Sequence, residues 1–179
     1  MKKSVCFGFL LASLLIFGSR NLLLAQEPLF KEYSALVVEP LEVTPNSPAP
    51  DSAGAQAAEK VVFQVRRYSQ KYHLFEVIIK EGAQEIPSDK KTLIIKGTVK
   101  EYTQPSVGRR IGRSFIPGGE FTGTAAFSAR YQFIDKESGK VIYETDLRTT
   151  SSGGNDTVEY AMERNGEALA KVILKYKGK

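Results

Sequence analysis

From Phe121 to Phe133 the chain alternates. Phe121, Gly123, Ala125, Phe127, Ala129, Tyr131 and Phe133 fall on one parity, and Thr122, Thr124, Ser128, Arg130 and Gln132 on the other. Only an extended strand gives a side-chain repeat of two, so one face of this segment is committed to a core and the other to water. Asp135-Lys-Glu-Ser-Gly-Lys140 follows as a tight connection in which Gly139 is free to take positive φ. Val141, Tyr143, Thr145 and Leu147 then alternate with Glu144, Asp146 and Arg148, which returns the chain as a long hairpin.

The other elements are arranged around this hairpin. Ala35 to Val43 is a short apolar run that predicts a first strand, stopped by Thr44 and Pro45. Pro45 to Pro50 is a loop rich in breakers, after which Asp51 or Ser52 can cap a helix. Ala58, Val61, Val62, Val65, Tyr68 and Tyr72 recur at helical spacing. Lys60, Arg66, Arg67 and Lys71 make the outer face, which is expected to be solvated. His73 to Lys80 predicts a second strand. Leu93, Ile95, Gly97 and Val99 predict a half-buried third, and Tyr102 to Glu120 an irregular segment. Asp156 or Thr157 can cap a last helix with the stripe Val158, Ala161, Met162, Leu169, Val172, Ile173 and Tyr176. Gly166 weakens the middle of that helix by about 1 kcal/mol against Ala, which suggests close packing there. One helix, then strands in a row, then a helix predicts an α+β fold. The expected form is a mainly antiparallel sheet of about five strands with both helices packed on one face.

The first 25 residues have a different character. Lys2 and Lys3 precede an apolar run from Val5 to Gly18, and Leu22-Leu-Leu-Ala25 leads into polar Gln26 and Glu27. A run of about 14 apolar residues suits the core of a secretion signal and is short for a bilayer span. Cleavage is expected between Ala25 and Gln26, leaving an extension over 26–34 and a single α/β domain over 35–177. No transmembrane segment is expected after cleavage. The one cysteine, Cys6, lies inside the signal, too early for lipoprotein processing, so the mature chain has no disulfide, thiolate metal site or cysteine nucleophile. The whole chain has 25 basic and 20 acidic residues, but Lys2, Lys3 and Arg20 belong to the signal. The remainder is close to neutral, which argues against nucleic acid as a partner.

The chemistry-bearing motifs are few. His73 is the single histidine, and a histidine metal site usually needs two or three, so no metal is expected. Ser88-Asp-Lys-Lys91 has the spacing of an acyl-enzyme motif but falls in a turn without partner motifs. The glycines of Gly108 to Gly112 and of Gly118-Gly119 are not followed by the Gly-Lys-Ser/Thr of a phosphate loop. No catalytic residue and no cofactor are predicted. The candidate site is the arginine loop: Arg109, Arg110 and Arg113, spaced by Gly112 and followed by Phe115, Ile116 and the Pro117-Gly118-Gly119 turn. Three guanidiniums on a glycine-rich loop can clamp a carboxylate or phosphate bidentately, and the apolar neighbours suit a partner surface or lipid.

From about Tyr33 to Tyr176 the chain resembles a bacterial family of exported proteins catalogued as domain of unknown function 4410. The resemblance rests on Leu36-Val-Val38, Leu93-Ile-Ile-Lys-Gly97, the Arg110 and Gly112 loop, and the Gly119 to Gly123 entry. Ile134-Asp135 with Ser138-Gly-Lys140 and the terminal amphipathic helix complete it. It implies an exported protein of this fold with no assigned activity. Many members look like lipoproteins, and this chain lacks the cysteine that tether would need. The expected role is a non-catalytic interaction or assembly module in the periplasm, onward association with the outer membrane or secretion included, with an envelope protein or lipid as partner. The alternative is a periplasmic small-molecule or lipid binder, or a hydrolase without a recognisable motif.

Overall fold

A computed structural model describes residues 28–45, 47–82, 89–106, 124–151 and 156–179. The elements are β1 (Ala35–Val38), β2 (Glu42–Val43), α1 (Ala53–Tyr72), β3 (Val77–Lys80), β4 (Thr92–Thr103), β5 (Ala126–Asp135), β6 (Val141–Thr150) and α2 (Val158–Tyr176). The sheet runs β3-β1-β4-β5-β6, and β2 pairs with β4 off this path. The fold is α+β, as expected, with a six-stranded sheet of mixed direction. β4, β5 and β6 form the antiparallel half, while β1 runs parallel to both β3 and β4, and β2 runs parallel to β4. The expected, mainly antiparallel sheet is met in the long strands β4, β5 and β6, and the short strands β1, β2 and β3 add parallel pairs to it. α1 supplies the crossover that a parallel return needs.

The predicted first strand is two short ones. Glu39 and Pro40 break it, because proline lacks the N–H that a continuing ladder needs. The predicted second strand begins later. His73 is the left-handed C-cap of α1, at φ 51°, and its N–H closes the helix on the Ser69 carbonyl. β4 reaches Thr103, into the stretch expected to be irregular, and it does so through a bulge between Val99 and Glu101. The extra residue reverses the parity, so Tyr102 returns to the core face that Leu93, Ile95 and Val99 occupy. Gly139 takes φ 67° in the β5–β6 turn, as its place there requires.

Both helices lie against the same face of the sheet. Ala57, Ala58, Val61, Val62 and Val65 of α1, and Ala161, Met162, Leu169, Ala170 and Ile173 of α2, enclose one core with Phe127, Ala129, Tyr131 and Phe133 of β5. Gly166 sits where the helices touch: a Cβ there would lie 2.9 Å from the Lys60 carbonyl oxygen of α1. Thr157 caps α2 by accepting from the Tyr160 amide at 3.1 Å. Ser52 is the N-cap position of α1 but makes no side-chain cap bond to the backbone.

The stretch before β1 is tied to the end of α2. The Phe30 amide donates to the Tyr176 carbonyl at 2.9 Å, and the Phe30 ring stacks on Phe133 with centroids 4.7 Å apart. Lys177 is buried, donates to the Tyr33 carbonyl and lies 4.4 Å from the centre of the Phe75 ring. Burial pushes its ammonium down to about 8. The unfolded chain holds that proton up to higher pH, so this group makes stability rise as pH passes from about 8 towards 10.5.

Asp135 closes the same corner. Its Oδ1 accepts from the Ser138 amide at 2.7 Å and from the Ser138 hydroxyl at 2.9 Å, and its Oδ2 accepts from the Tyr33 phenol at 2.7 Å. The Ser138 amide, then the phenol and the Ser138 hydroxyl, hold the carboxyl down to about 2. A folded-state value below the unfolded one gives stability that is complete above the ordinary carboxylate range and is lost as pH falls through it towards about 2. Asp135→Asn is therefore expected to lower the melting temperature at pH 6 and to converge with the parent near pH 2. Thermal melts of both proteins across that range check this.

Candidate functional site

Arg109, Arg110, Gly112, Arg113, Gly118 and Gly119 lie outside the described residues, as do Ala25 and Gln26 at the expected cleavage point. What is described is the base from which the arginine loop springs. Thr103 ends β4 and Ala126 begins β5, and the two are register partners. The chain therefore leaves and re-enters the sheet at one point.

That base is a polar clamp. Asp156, just before α2, accepts from the Ala125 amide at 2.9 Å, and it also receives the Ser151 hydroxyl. The Ser151 amide donates to the Ala125 carbonyl at 2.9 Å. Glu101 takes the Arg148 guanidinium in two bonds, at 2.7 and 3.0 Å, across the open face of the sheet. That pairing lowers the Glu101 carboxyl and raises the Arg148 guanidinium. Ser151 meets a carboxylate there and no imidazole, since the one histidine is exposed at the end of α1.

The open face continues as rows of paired charges. Arg130 meets Asp146 in two bonds of 3.0 Å, Gln132 donates to Glu144 at 2.8 Å, and Lys96 pairs with Glu39 at 3.0 Å. The Arg130–Asp146 and Gln132–Glu144 pairs are register partners of β5 and β6, and the groups together make a solvated polar surface. Among the described residues no group of three or more His, Cys, Asp or Glu is placed to hold a metal, and no helix is long and apolar enough to cross a membrane.

Two features beyond the arginine loop emerge from the structure. Phe63, off the α1 stripe, is 59 % exposed among the helix's basic residues. Arg66 turns back onto the sheet and donates to the Ile78 carbonyl with Nη2 at 2.7 Å and Nε at 3.2 Å. The first was visible in the sequence as a large aromatic out of phase with Val61, Val62 and Val65. The second had no sequence signal, because nothing in a helix names the strand edge beside it.

No family model matches the chain, and no curated protein matches it, so the resemblance to domain of unknown function 4410 is not confirmed. Solved structures do share the fold. One crystal structure of the PelC dodecamer from Paraburkholderia phytofirmans superposes at a TM-score of 0.52 with 13% identity, over 82% of this chain and 87% of that one. A second PelC crystal form gives 0.52 with 12% identity, over 82% and 88%. A Xanthomonas campestris protein of family DUF330 gives 0.48 with 11% identity, over 80% and 85%. At these identities the likeness to PelC is one of fold.

Proposed function

We propose that this chain is an exported, non-catalytic interaction or assembly module of the bacterial periplasm, working through the arginine loop or a sheet edge. The observation that carries the reading is how the described polar groups are used. The clamp of Ser151, Asp156 and Ala125 holds the root of the loop, and the charged rows of the open face satisfy one another. Such a scaffold presents a loop and two strand edges rather than a reaction centre. The PelC dodecamer, which has this fold, is itself built from many copies. The lipophilic head supports export, and Arg109, Arg110 and Arg113 give the loop a surface for a carboxylate- or phosphate-bearing partner.

In-cell cross-linking followed by mass spectrometry tests this. The expected result is a chain beginning at Gln26, cross-linked to an envelope component or to further copies of itself. Recovery of monomer alone overturns the interaction reading, and an unprocessed chain in the cytosol overturns the export reading. Changing Arg109, Arg110 and Arg113 together to Glu is expected to abolish cross-links that run through the loop.

A further inference from the structure

β3 is an edge of the sheet. Its Val77 and Glu81 amides donate inward, to the Ser34 and Val38 carbonyls at 3.4 and 3.0 Å. Strand alternation then turns the main-chain groups of Ile78 and Lys80 outward, away from β1. α1 runs alongside, and between helix and strand lies a groove in two concave stretches of about 510 and 290 Å³ that meet at Arg66. Its lining is mixed: Val62, Phe75 and Ile78, all less than a tenth exposed, form an apolar floor, the Phe63 ring stands on the rim, and Glu59, Arg66, Ser69, Gln70, Glu76 and Lys80 supply polar groups.

The charges along the groove are arranged unequally. Glu59 is taken by Lys80 at 2.6 Å, and Glu76 by Lys90. Among the described residues, Arg66 meets no carboxylate; its hydrogen-bond partner is the Ile78 carbonyl. An exposed guanidinium over the apolar floor of the groove, with its fork held on a strand-edge carbonyl, is poised to exchange or share that carbonyl for a carboxylate.

We infer that the groove between α1 and β3 receives an extended peptide segment of a partner protein, which adds as a strand to β3 and places an acidic side chain on Arg66. The outward N–H groups of Ile78 and Lys80 and the Lys80 C=O supply the main-chain pairing, the Ile78 C=O joins it as Arg66 turns to the acid, the apolar floor at Val62 and Phe75 takes an apolar side chain, and Arg66 selects for acid. The inference rests on the interaction-module reading above and names its partner class and its surface.

The test is amide NMR on the protein as purified from cells, titrated with acetyl-Val-Glu-Val-Glu-Val-amide and with the same peptide carrying Lys for Glu. The acidic peptide is expected to shift the Ile78 and Lys80 amides and to slow their hydrogen exchange, and the lysine peptide is expected to do neither. Arg66→Gln should weaken the acidic peptide by about tenfold, and Phe63→Ser, on the rim and away from the core, should weaken it without altering the melting temperature. The inference fails if Ile78 and Lys80 stay unmoved at millimolar peptide, or if both peptides act alike. It fails too if the two amides shift with protein concentration alone, which would make a second copy the occupant, or with anionic phosphatidylglycerol vesicles and not with peptide. An intact partner cross-linked elsewhere would leave the proposed function standing while this groove is dismissed.

Discussion

Gly54→Ala is expected to be among the most damaging single-methyl additions to this protein. The link between β1 and β2 crosses the first turn of α1, where the Leu41 amide donates to the Gly54 carbonyl at 3.2 Å. A Cβ on Gly54 would lie 1.8 Å from the Leu41 carbonyl oxygen and 2.9 Å from its carbon. Both are backbone atoms, so no rotamer change relieves the clash. Leu41 is also held from the other side, because its Cγ lies 3.1 Å from where a Cβ on Gly97 would stand. Alanine gains about 1 kcal/mol over glycine in a helix, but forcing α1 and the link apart is expected to cost about 3 kcal/mol or more. In a domain of this size that lowers the melting temperature by roughly 10 °C. Gly166→Ala is the internal comparison. Its added Cβ would stand 2.9 Å from the Lys60 carbonyl oxygen, a contact that a small slide of one helix over the other can relax. Calorimetry of the two variants should rank Gly54→Ala far below Gly166→Ala, and equal melting temperatures would refute this account of the β1–β2 link.

The architecture was legible where its causes are local. The alternation from Ala126 through Phe133, the turn at Gly139 and the two helical stripes are dictated by residues next to one another, and each appears in the structure, while Phe121, Thr122 and Gly123 of the predicted strand lie outside the described residues. The direction of β1 depends on partners far along the chain. Yet one sign of it was present, for Ala35-Leu-Val-Val38 is apolar at every position, and all four residues are buried. A strand covered on both faces and flanked by parallel neighbours has that composition, whereas a half-exposed antiparallel strand alternates. The bulge at Lys100 was hidden for a different reason. Val99 and Tyr102 have opposite parity, so the alternation breaks where the strand in fact continues. At the candidate site the sequence supplied the arginines, but it could not supply the clamp beneath them. Ser151, Asp156 and Ala125 come together only through strand pairing.

Asn165 is a clearer case of a signal that the stripe contained. It stands three residues after Met162 and four before Leu169, on the buried face of α2, and it is fully buried. A polar residue at a core position needs partners, and here it has them. Its Oδ1 accepts from the Tyr131 phenol at 2.7 Å, and its Nδ2 donates to the Leu147 carbonyl at 3.0 Å and to the Thr149 hydroxyl at 3.3 Å. Thr149 in turn donates to the Ala161 carbonyl at 2.7 Å, so the network joins α2 to β5 and β6. Burial pushes the Tyr131 phenol up, which keeps it a neutral donor.

Asn165→Leu keeps the volume but leaves the Tyr131 hydroxyl enclosed without an acceptor. A buried polar group left unpaired costs about 1–3 kcal/mol. With the Leu147 bond also lost, the expected destabilisation is about 2–4 kcal/mol. Tyr131→Phe alone removes the phenol and leaves Asn165 its other bonds, so its expected cost is smaller, about 1 kcal/mol. The double variant removes both ends of the bond and should recover part of the loss, making the pair markedly non-additive. Urea denaturation of the four proteins closes the cycle. Strict additivity would mean that the phenol and the amide do not depend on one another, and that the polar link from α2 to the hairpin runs through Leu147 and Thr149 instead of Tyr131.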